Sequence, residues 1–293
     1  MKYDILLIGG NGFVWRVIAA QLQLAGYSVL VPTSHLSAAR ELRMLPKIPV
    51  EEADIHDFDE LQSLCGRIKS GGAVINLVDV LHDKPAQPYG KVLKSAHVEL
   101  PKNIITAMQL HGVKRYLHMS ALGADSQGSS IYQCSKGEGE VAVKESNLDC
   151  TIFRPSVIFS AQDRFINLFA KLTKLFPAMP LANYQAQFQS VSVDDVATAC
   201  VKSLLMPQTI HQSYDLVGST VYTMQEIVEF AARKANTSCA IIPVPDFEFL
   251  PGPTLMSRDN IASMQMPNIL PVNSTDALSE VFKMSRRRLD GMQ

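Results

Sequence analysis

The chain has 293 residues, 47% apolar and 19% charged, with 27 Lys+Arg against 28 Asp+Glu and a net charge of −1. That composition supplies a substantial core in one large domain or two smaller ones, and it excludes collagen-like and wholly disordered chains. A near-neutral surface also excludes a general electrostatic pull toward nucleic acid or anionic lipid.

Short apolar runs alternate with helical stretches from the first residues onward. Ile5–Ile8, Val29–Val31, Ala73–Val78, Tyr116–Met119 and Cys150–Phe153 read as strands. Helices of 10–20 residues between such runs point to β-α-β units and a parallel sheet covered on both faces. The first helix is expected from about Gly12 to Ala25, stopped by Gly26 as a left-handed C′ residue. Asp57-Phe58-Asp59-Glu60 reads as a capping box opening a helix through about Ile68. A long helix from near Tyr89 closes at Gly112, with a kink expected at Pro101.

Beyond Pro155 the pattern loosens. A helix is expected over Arg164–Phe176, an extended piece at Gln189–Val193, and a helix over Asp194–Leu205. A strand at Tyr214–Val217 follows, then a second capping box at Thr223–Glu226. Pro243–Pro271 reads as loop or short helix, and Arg286-Arg287-Arg288 as a solvated helix end. The fold class expected is α/β: a Rossmann-type doubly wound parallel sheet with a smaller C-terminal lobe. Residues 1–160 would form the dinucleotide-binding core, with 188–218 returning to it, and 161–187 with 219–293 the smaller lobe over the strands' carboxyl ends.

Gly9-Gly10-Asn11-Gly12 stands between the first strand and first helix, followed by Phe13-Val14. A dinucleotide site needs glycines there, because the turn is tight and backbone N–H groups must approach a pyrophosphate at a helix N-terminus. The spacing predicts a third glycine at position 15, where this chain carries Trp15, its only tryptophan. An indole of roughly 150–250 Å² cannot occupy a hydrogen's place, so either the first helical turn is displaced or the ring lies over the phosphate site.

An NAD site places an acid at the end of the second strand for the ribose 2′-OH. The segment here is Val31-Pro32-Thr33-Ser34-His35, without an acid. Ser34, His35 and Arg40 are candidates for a 2′-phosphate, which favours NADP(H) among the NAD(P)(H) cofactors. Asp54, beside Ile55, is a candidate acceptor for the adenine amino group. Asp54, His56, Asp57 and Asp59 resemble metal ligands in type, but helix capping accounts for them, and no metal is expected.

Tyr132-Gln133-Cys134-Ser135-Lys136 puts a phenol and an ammonium on one helical face. A tyrosine acting as base near neutral pH must lose about three of its ~10 pKa units, about 4 kcal/mol, which a neighbouring lysine helps supply. Ser120 ends the preceding strand and is placed to hydrogen-bond a substrate carbonyl. Ser120 lacks a G-x-S-x-G elbow, so a hydrolase nucleophile is not indicated.

On these residues the chain resembles the short-chain dehydrogenase/reductase superfamily, in its extended or atypical branch. The resemblance implies that Tyr132 is the general acid/base, Lys136 binds the nicotinamide ribose, and Ser120 orients substrate. It also implies that Asn76-Leu77-Val78 lies by the cofactor and that Arg154–Phe159, with Pro155 and Val157, passes the nicotinamide, although Ser160 stands where a glycine is expected. A narrower resemblance is to the NAD(P)H-binding accessory-subunit family of respiratory complex I and its bacterial homologues. It is carried by His118–Ala124, Ser135–Glu140, Arg154–Ser156, Asp163–Ala170 and Ser257–Asn260. It implies a structural nucleotide and partners in complex I or quinone biosynthesis. An active oxidoreductase or nucleotide-sugar epimerase/dehydratase is the alternative.

Five separated cysteines without a C-x-x-C pair suggest a reducing compartment. No run approaches a membrane span, and the four-residue apolar run at Ile5–Ile8 is short for a secretory signal. The expected location is cytoplasmic, peripheral to the inner membrane through a protein complex.

Overall fold

The structure, a computed structural model, describes residues 1–9, 12–36, 48–81, 83, 86, 88–161, 163–244 and 258–291. The chain falls into two compact units: Met1–Arg154 with Val196–Asp215, and Pro155–Asp195 with Leu216–Gln293. The unit boundaries lie several residues inside the expected 1–160 and 188–218.

In the first unit, β1 (Tyr3–Ile8), β2 (Val29–Thr33), β3 (Val50–Glu52), β4 (Ile68–Asn76), β5 (Arg115–Met119), β6 (Asp149–Pro155) and β11 (Gln212–Leu216) form a seven-stranded sheet in the order β11-β6-β5-β4-β1-β2-β3. The pairs β1–β2, β2–β3, β1–β4, β4–β5 and β5–β6 are parallel. Leu6, Leu7, Ile8, Val74 and Tyr116 are fully buried, as strands covered on both faces require. The order reverses at β1, between β4 and β2. A parallel sheet of this kind binds ligands outside the strands' carboxyl ends at such a switch point.

The strands match the apolar runs, with one difference in β4. It starts at Ile68 rather than Ala73, because the chain bulges between the Tyr3–Ile68 and Ile5–Ala73 partners. Gly71, at φ +82°, permits that bulge. The helix before it, α2 (Phe58–Gly66), therefore stops short of Ile68.

Helix α1 (Phe13–Leu24) buries Trp15, Ile18, Ala19 and Leu22, one face at helical spacing. Gly26 ends it at φ +88°. The expected long helix is broken into α3 (Lys91–Lys94), a π-turn (Ser95–Glu99) and α4 (Leu100–Leu110). Pro101 has no N–H for the His97 carbonyl four residues earlier, and the wider turn is where the chain absorbs that loss. The freed carbonyl faces α5 (Ile131–Lys144), where a Cβ built on Gly139 would sit 2.1 Å from His97 O. Ser130 caps α5 through a reciprocal box with Gln133. Helix α7 (Val193–Ser203) begins in the second unit and continues into the first.

The second unit carries three two-stranded pairings. They are β7 (Ile158–Phe159) with β10 (Val191–Ser192), β9 (Gln187–Phe188) with β12 (Tyr222–Thr223), and β8 (Ala178–Ala182) with β13 (Ala240–Val244). Helices α6 (Arg164–Leu175) and α8 (Met224–Lys234) share a core with Phe159, Met179, Leu181 and Phe188. The Thr223–Glu226 box caps α8 as the spacing predicts. On α6, Phe169 is buried, whereas Leu168 is exposed. A short helix α9 (Arg258–Ser263) lies within the Pro243–Pro271 stretch. The arginine run corrects the sequence reading. Residues 283–288 are not helical. Arg287 pairs with buried Asp195 at 2.7 Å, and Arg286 with Asp276 at 3.0 Å. Two carboxylates and the Gly218 carbonyl recruit these guanidiniums inside their own unit.

Candidate functional site

The β1–α1 turn is built for close backbone approach. Gly9 has φ +118°, and a Cβ there would fall 2.6 Å from the Leu77 carbonyl carbon and 2.7 Å from Val78 N. Leu77 N–H donates to Ile8 O at 2.8 Å, so the ends of β1 and β4 are joined at the switch point. Gly12 is the N-cap of α1 and carries no side-chain cap. Among the described residues, a Cβ on Gly12 would meet nothing within 4 Å. Open space before uncapped helical N–H groups fits a pyrophosphate. Phe13 and Val14 begin the helix. Gly10 and Asn11 lie outside the described residues.

Trp15 does not cover this turn. It is 2% exposed on the inner stripe of α1, and no atom of it reaches the open space at Gly12. Of the two expectations, a ring laid over the glycine turn is therefore wrong. Its Nε1 is buried without a hydrogen-bond partner among the described residues.

Asn76 closes β4 with its side chain buried. It accepts from Val78 N–H at 3.1 Å and donates to Tyr116 Oη at 3.3 Å, which holds the post-strand turn in place. At the end of β2, Ser34 and His35 are exposed, and His35 N–H reaches Thr33 Oγ1 at 3.3 Å. Arg40 lies outside the described residues. Asp54 Oδ1 accepts from His56 N–H at 2.9 Å, and Ile55 packs on the core. The expected box at Asp57 is half correct. Asp57 accepts from Asp59 and Glu60 N–H, but Glu60 reaches back to Asp54 N–H at 2.7 Å instead of Asp57. Among the described residues no group of three or more His, Cys, Asp or Glu is placed to hold a metal.

Tyr132 and Lys136 meet as the helical spacing predicts, with the ammonium 5.8 Å from the phenol ring centre. A third residue meets them that the sequence did not single out. Asp79 Oδ1 lies 2.9 Å from Lys136 Nζ, 3.1 Å from Tyr132 Oη and 3.5 Å from His97 Nε2. Lys136, 2% exposed, also donates to the Val78 and Met119 carbonyls at 3.4 and 3.5 Å. Desolvation raises the Asp79 carboxyl, but the Lys136 ammonium outweighs it and holds it below the usual carboxylate range. Burial and the Asp79 charge push the Tyr132 phenol well above its ordinary value.

His97 accepts from Val80 N–H on Nε2 at 3.1 Å. Its Nδ1 must therefore carry the proton, which it donates to Ser135 Oγ at 2.8 Å. Burial and Lys136 push His97 down to about 4 against the pull of Asp79, so the ring is neutral.

Ser120 is buried just past β5, with its N–H on Phe153 O at 2.7 Å. Its hydroxyl has no hydrogen-bond partner among the described residues. It neighbours Glu140, which is bound by Arg154 Nε at 2.7 Å and Lys144 at 3.0 Å. Pro155 and Val157 fall in the second unit, where Val157 O accepts from Val191 N–H at 3.0 Å. An acid directly after Val78 and a lone histidine four residues before Pro101 were the available signals for Asp79 and His97. Neither has a fixed spacing to the Y-x-x-x-K pair.

The chain is 28% identical over 228 residues to NADH dehydrogenase (ubiquinone) 1 alpha subcomplex subunit 9, mitochondrial, of Dictyostelium discoideum, covering 76% of this chain and 61% of that protein. To the protein of the same name from Rattus norvegicus it is 27% identical, over 83% of this chain and 64% of the relative. It therefore spans less than two thirds of the length of these relatives. Among solved structures, Thermus thermophilus UDP-glucose 4-epimerase in complex with NAD superposes with a TM-score of 0.69 at 20% identity, over 83% of this chain and 87% of that one. A nucleoside-diphosphate-sugar epimerase from Staphylococcus aureus gives 0.74 at 13% identity over 97% of each chain, a likeness of fold. No helix among the described residues is long and apolar enough to cross a membrane. The family model for NAD dependent epimerases and dehydratases matches residues 5–217, and the chain belongs to that family.

Proposed function

We propose that this chain holds an NAD(P)(H) dinucleotide as a structural ligand and serves a respiratory or quinone-related assembly, as a complex I accessory subunit does. The observation that carries the reading is the glycine turn: Gly9 packed on Leu77–Val78, with open space at the Gly12 N-cap. The pyrophosphate would rest on the first N–H groups of α1, with Asn76, Leu77 and Val78 alongside and Asp54 and Ile55 near the adenine. The acid-free end of β2 supports a preference for NADP(H), with Ser34 and His35 at the 2′-phosphate. The relatives, named as mitochondrial subunits of an NADH dehydrogenase (ubiquinone), support partners in such a complex, which this chain would join peripherally through protein contacts.

A structural rather than reactive nucleotide is supported by Tyr132, whose phenol donates to the Asp79 carboxylate at 3.1 Å. A bound nicotinamide supplies hydride chemistry. The second reading, an active oxidoreductase or epimerase, draws on the presence of Ser120, Tyr132 and Lys136 in one unit. Purified protein loaded with NADH or NADPH and offered quinones, carbonyls or nucleotide-sugars separates the two. The structural reading expects the reduced-nicotinamide absorbance to persist. Sustained oxidation that disappears in Tyr132→Phe would overturn it.

A further inference from the structure

We propose that Asp79, itself exposed, is a latch on the Tyr132–Lys136 pair, one carboxylate oxygen engaging both groups and withholding them from proton transfer. This rests on the dinucleotide reading above and adds the residue that makes the site a holding site.

The geometry is specific. The same Oδ1 takes the Lys136 ammonium at 2.9 Å and the Tyr132 phenol at 3.1 Å. An ammonium has three protons, and Lys136 has three acceptors in Asp79, Val78 O and Met119 O. Its donors are therefore spent on the protein. A phenol that donates to a carboxylate is stabilised in its protonated form, the opposite of what a base requires. The latch is itself held. Val80 N–H on His97 Nε2 fixes the chain just past Asp79, and His97 is fixed by Ser135 on α5. Because Val80 N–H keeps His97 Nε2 unprotonated, the ring is not the countercharge for Asp79, and Lys136 is.

Among the described residues, the titratable groups around Tyr132 are Asp79, His97, Lys136 and Cys134. Asp79 comes from the segment after β4, His97 from the π-turn with its ring 5.6 Å away, and Lys136 and Cys134 from α5 itself. Tyr89, whose hydroxyl is bound by Glu138, belongs to the same cluster.

The test is a tyrosinate titration of the full chain, followed by phenolate absorbance. The ionisation of Tyr132 among the 8 tyrosines is assigned by subtracting the Tyr132→Phe curve in each background. Asp79→Gly removes charge and acceptor, whereas Asp79→Asn keeps an acceptor without charge and is the conservative variant should the glycine unfold. The expected result is a Tyr132 ionisation constant raised at least about tenfold (one pH unit) in Asp79→Gly, with Asp79→Asn between it and the wild type. Superposed Tyr132 curves in the wild type and in whichever variants fold would overturn the latch. NADPH titration of the same proteins separates the two ideas. Absent binding with a shifted phenol removes the dinucleotide reading alone, and binding with an unshifted phenol removes the latch alone.

Discussion

Trp15 stands third in α1, on the inner stripe, with its indole N–H buried and unpaired among the described residues. Two opposed contributions follow: a large apolar body well buried, and a donor stripped of water at a cost of roughly 1–3 kcal/mol. Trp15→Phe removes the orphan donor and is expected to change stability by less than about 1.5 kcal/mol, whereas Trp15→Gly opens a cavity and costs about 3–5 kcal/mol. Urea melts of both variants check the ordering, and equal losses would contradict it. Glu140 is the other telling residue. Burial raises its carboxyl, Arg154 overcomes that, and the net shift is downward. A carboxylate with a lowered folded pKa adds stability above its unfolded value and loses it as pH falls through the folded one. Arg154→Leu leaves the buried Glu140 carboxylate with Lys144 as its remaining cation, with an expected loss of about 1–3 kcal/mol at neutral pH that shrinks on acidification. A loss independent of pH would show that Arg154 acts by packing. The glycine turn and the Tyr-Lys pair were legible because backbone approach and helical spacing impose fixed intervals. Asp79 was not, since a carboxylate reaching in from a loop has no interval to obey.

At the scale of elements, α5 owes its place to two glycines. A Cβ on Gly137 would fall 2.2 Å from Ser126 N, and one on Gly139 2.1 Å from His97 O. Helix interiors disfavour glycine by about 1 kcal/mol, so these positions are kept for proximity. That proximity brings the π-turn, and His97 on it, against the helix bearing Tyr132, Ser135 and Lys136. Gly139→Ala improves helix propensity yet is expected to destabilise by about 1–3 kcal/mol, because backbone must move. It should also disturb His97 more than the sheet, visible as a shifted His97 imidazole resonance. An unchanged resonance with raised stability would contradict the close approach. Pro101 announced an interruption in the sequence, but its form was not readable there. Whether a proline yields a kink or a π-turn depends on what faces the freed carbonyl, and here that is a glycine far along the chain. The arginine run misled for a similar reason: buried Asp195, not local helix chemistry, recruits Arg287.

Across the whole molecule, the strands and helices of the first unit were largely written in the alternation of short apolar runs and capped helices, since parallel strands buried on both faces leave that trace. The second unit was less legible. Its paired strands are 2 or 5 residues long, too short for a period to emerge. A ligand that binds only the folded chain stabilises it by mass action, by about 2.7 kcal/mol at a hundredfold excess over Kd. Dinucleotide should therefore slow amide exchange most around Gly9–Leu24 and Asn76–Asp79; uniform slowing, or none there, would place the ligand elsewhere. The most direct measurement is a fluorescence titration of the purified protein with NADPH and NADH, run beside Gly12→Val. The Gly12 position has room for a side chain in the protein but lies where the pyrophosphate would rest. Saturable binding of one equivalent is expected, tighter for NADPH, and lost in Gly12→Val while the chain stays folded, with stability lowered by no more than the roughly 1 kcal/mol of a poorer N-cap. Saturable binding that survives Gly12→Val, or no binding of either nucleotide to the wild type, would contradict the dinucleotide reading.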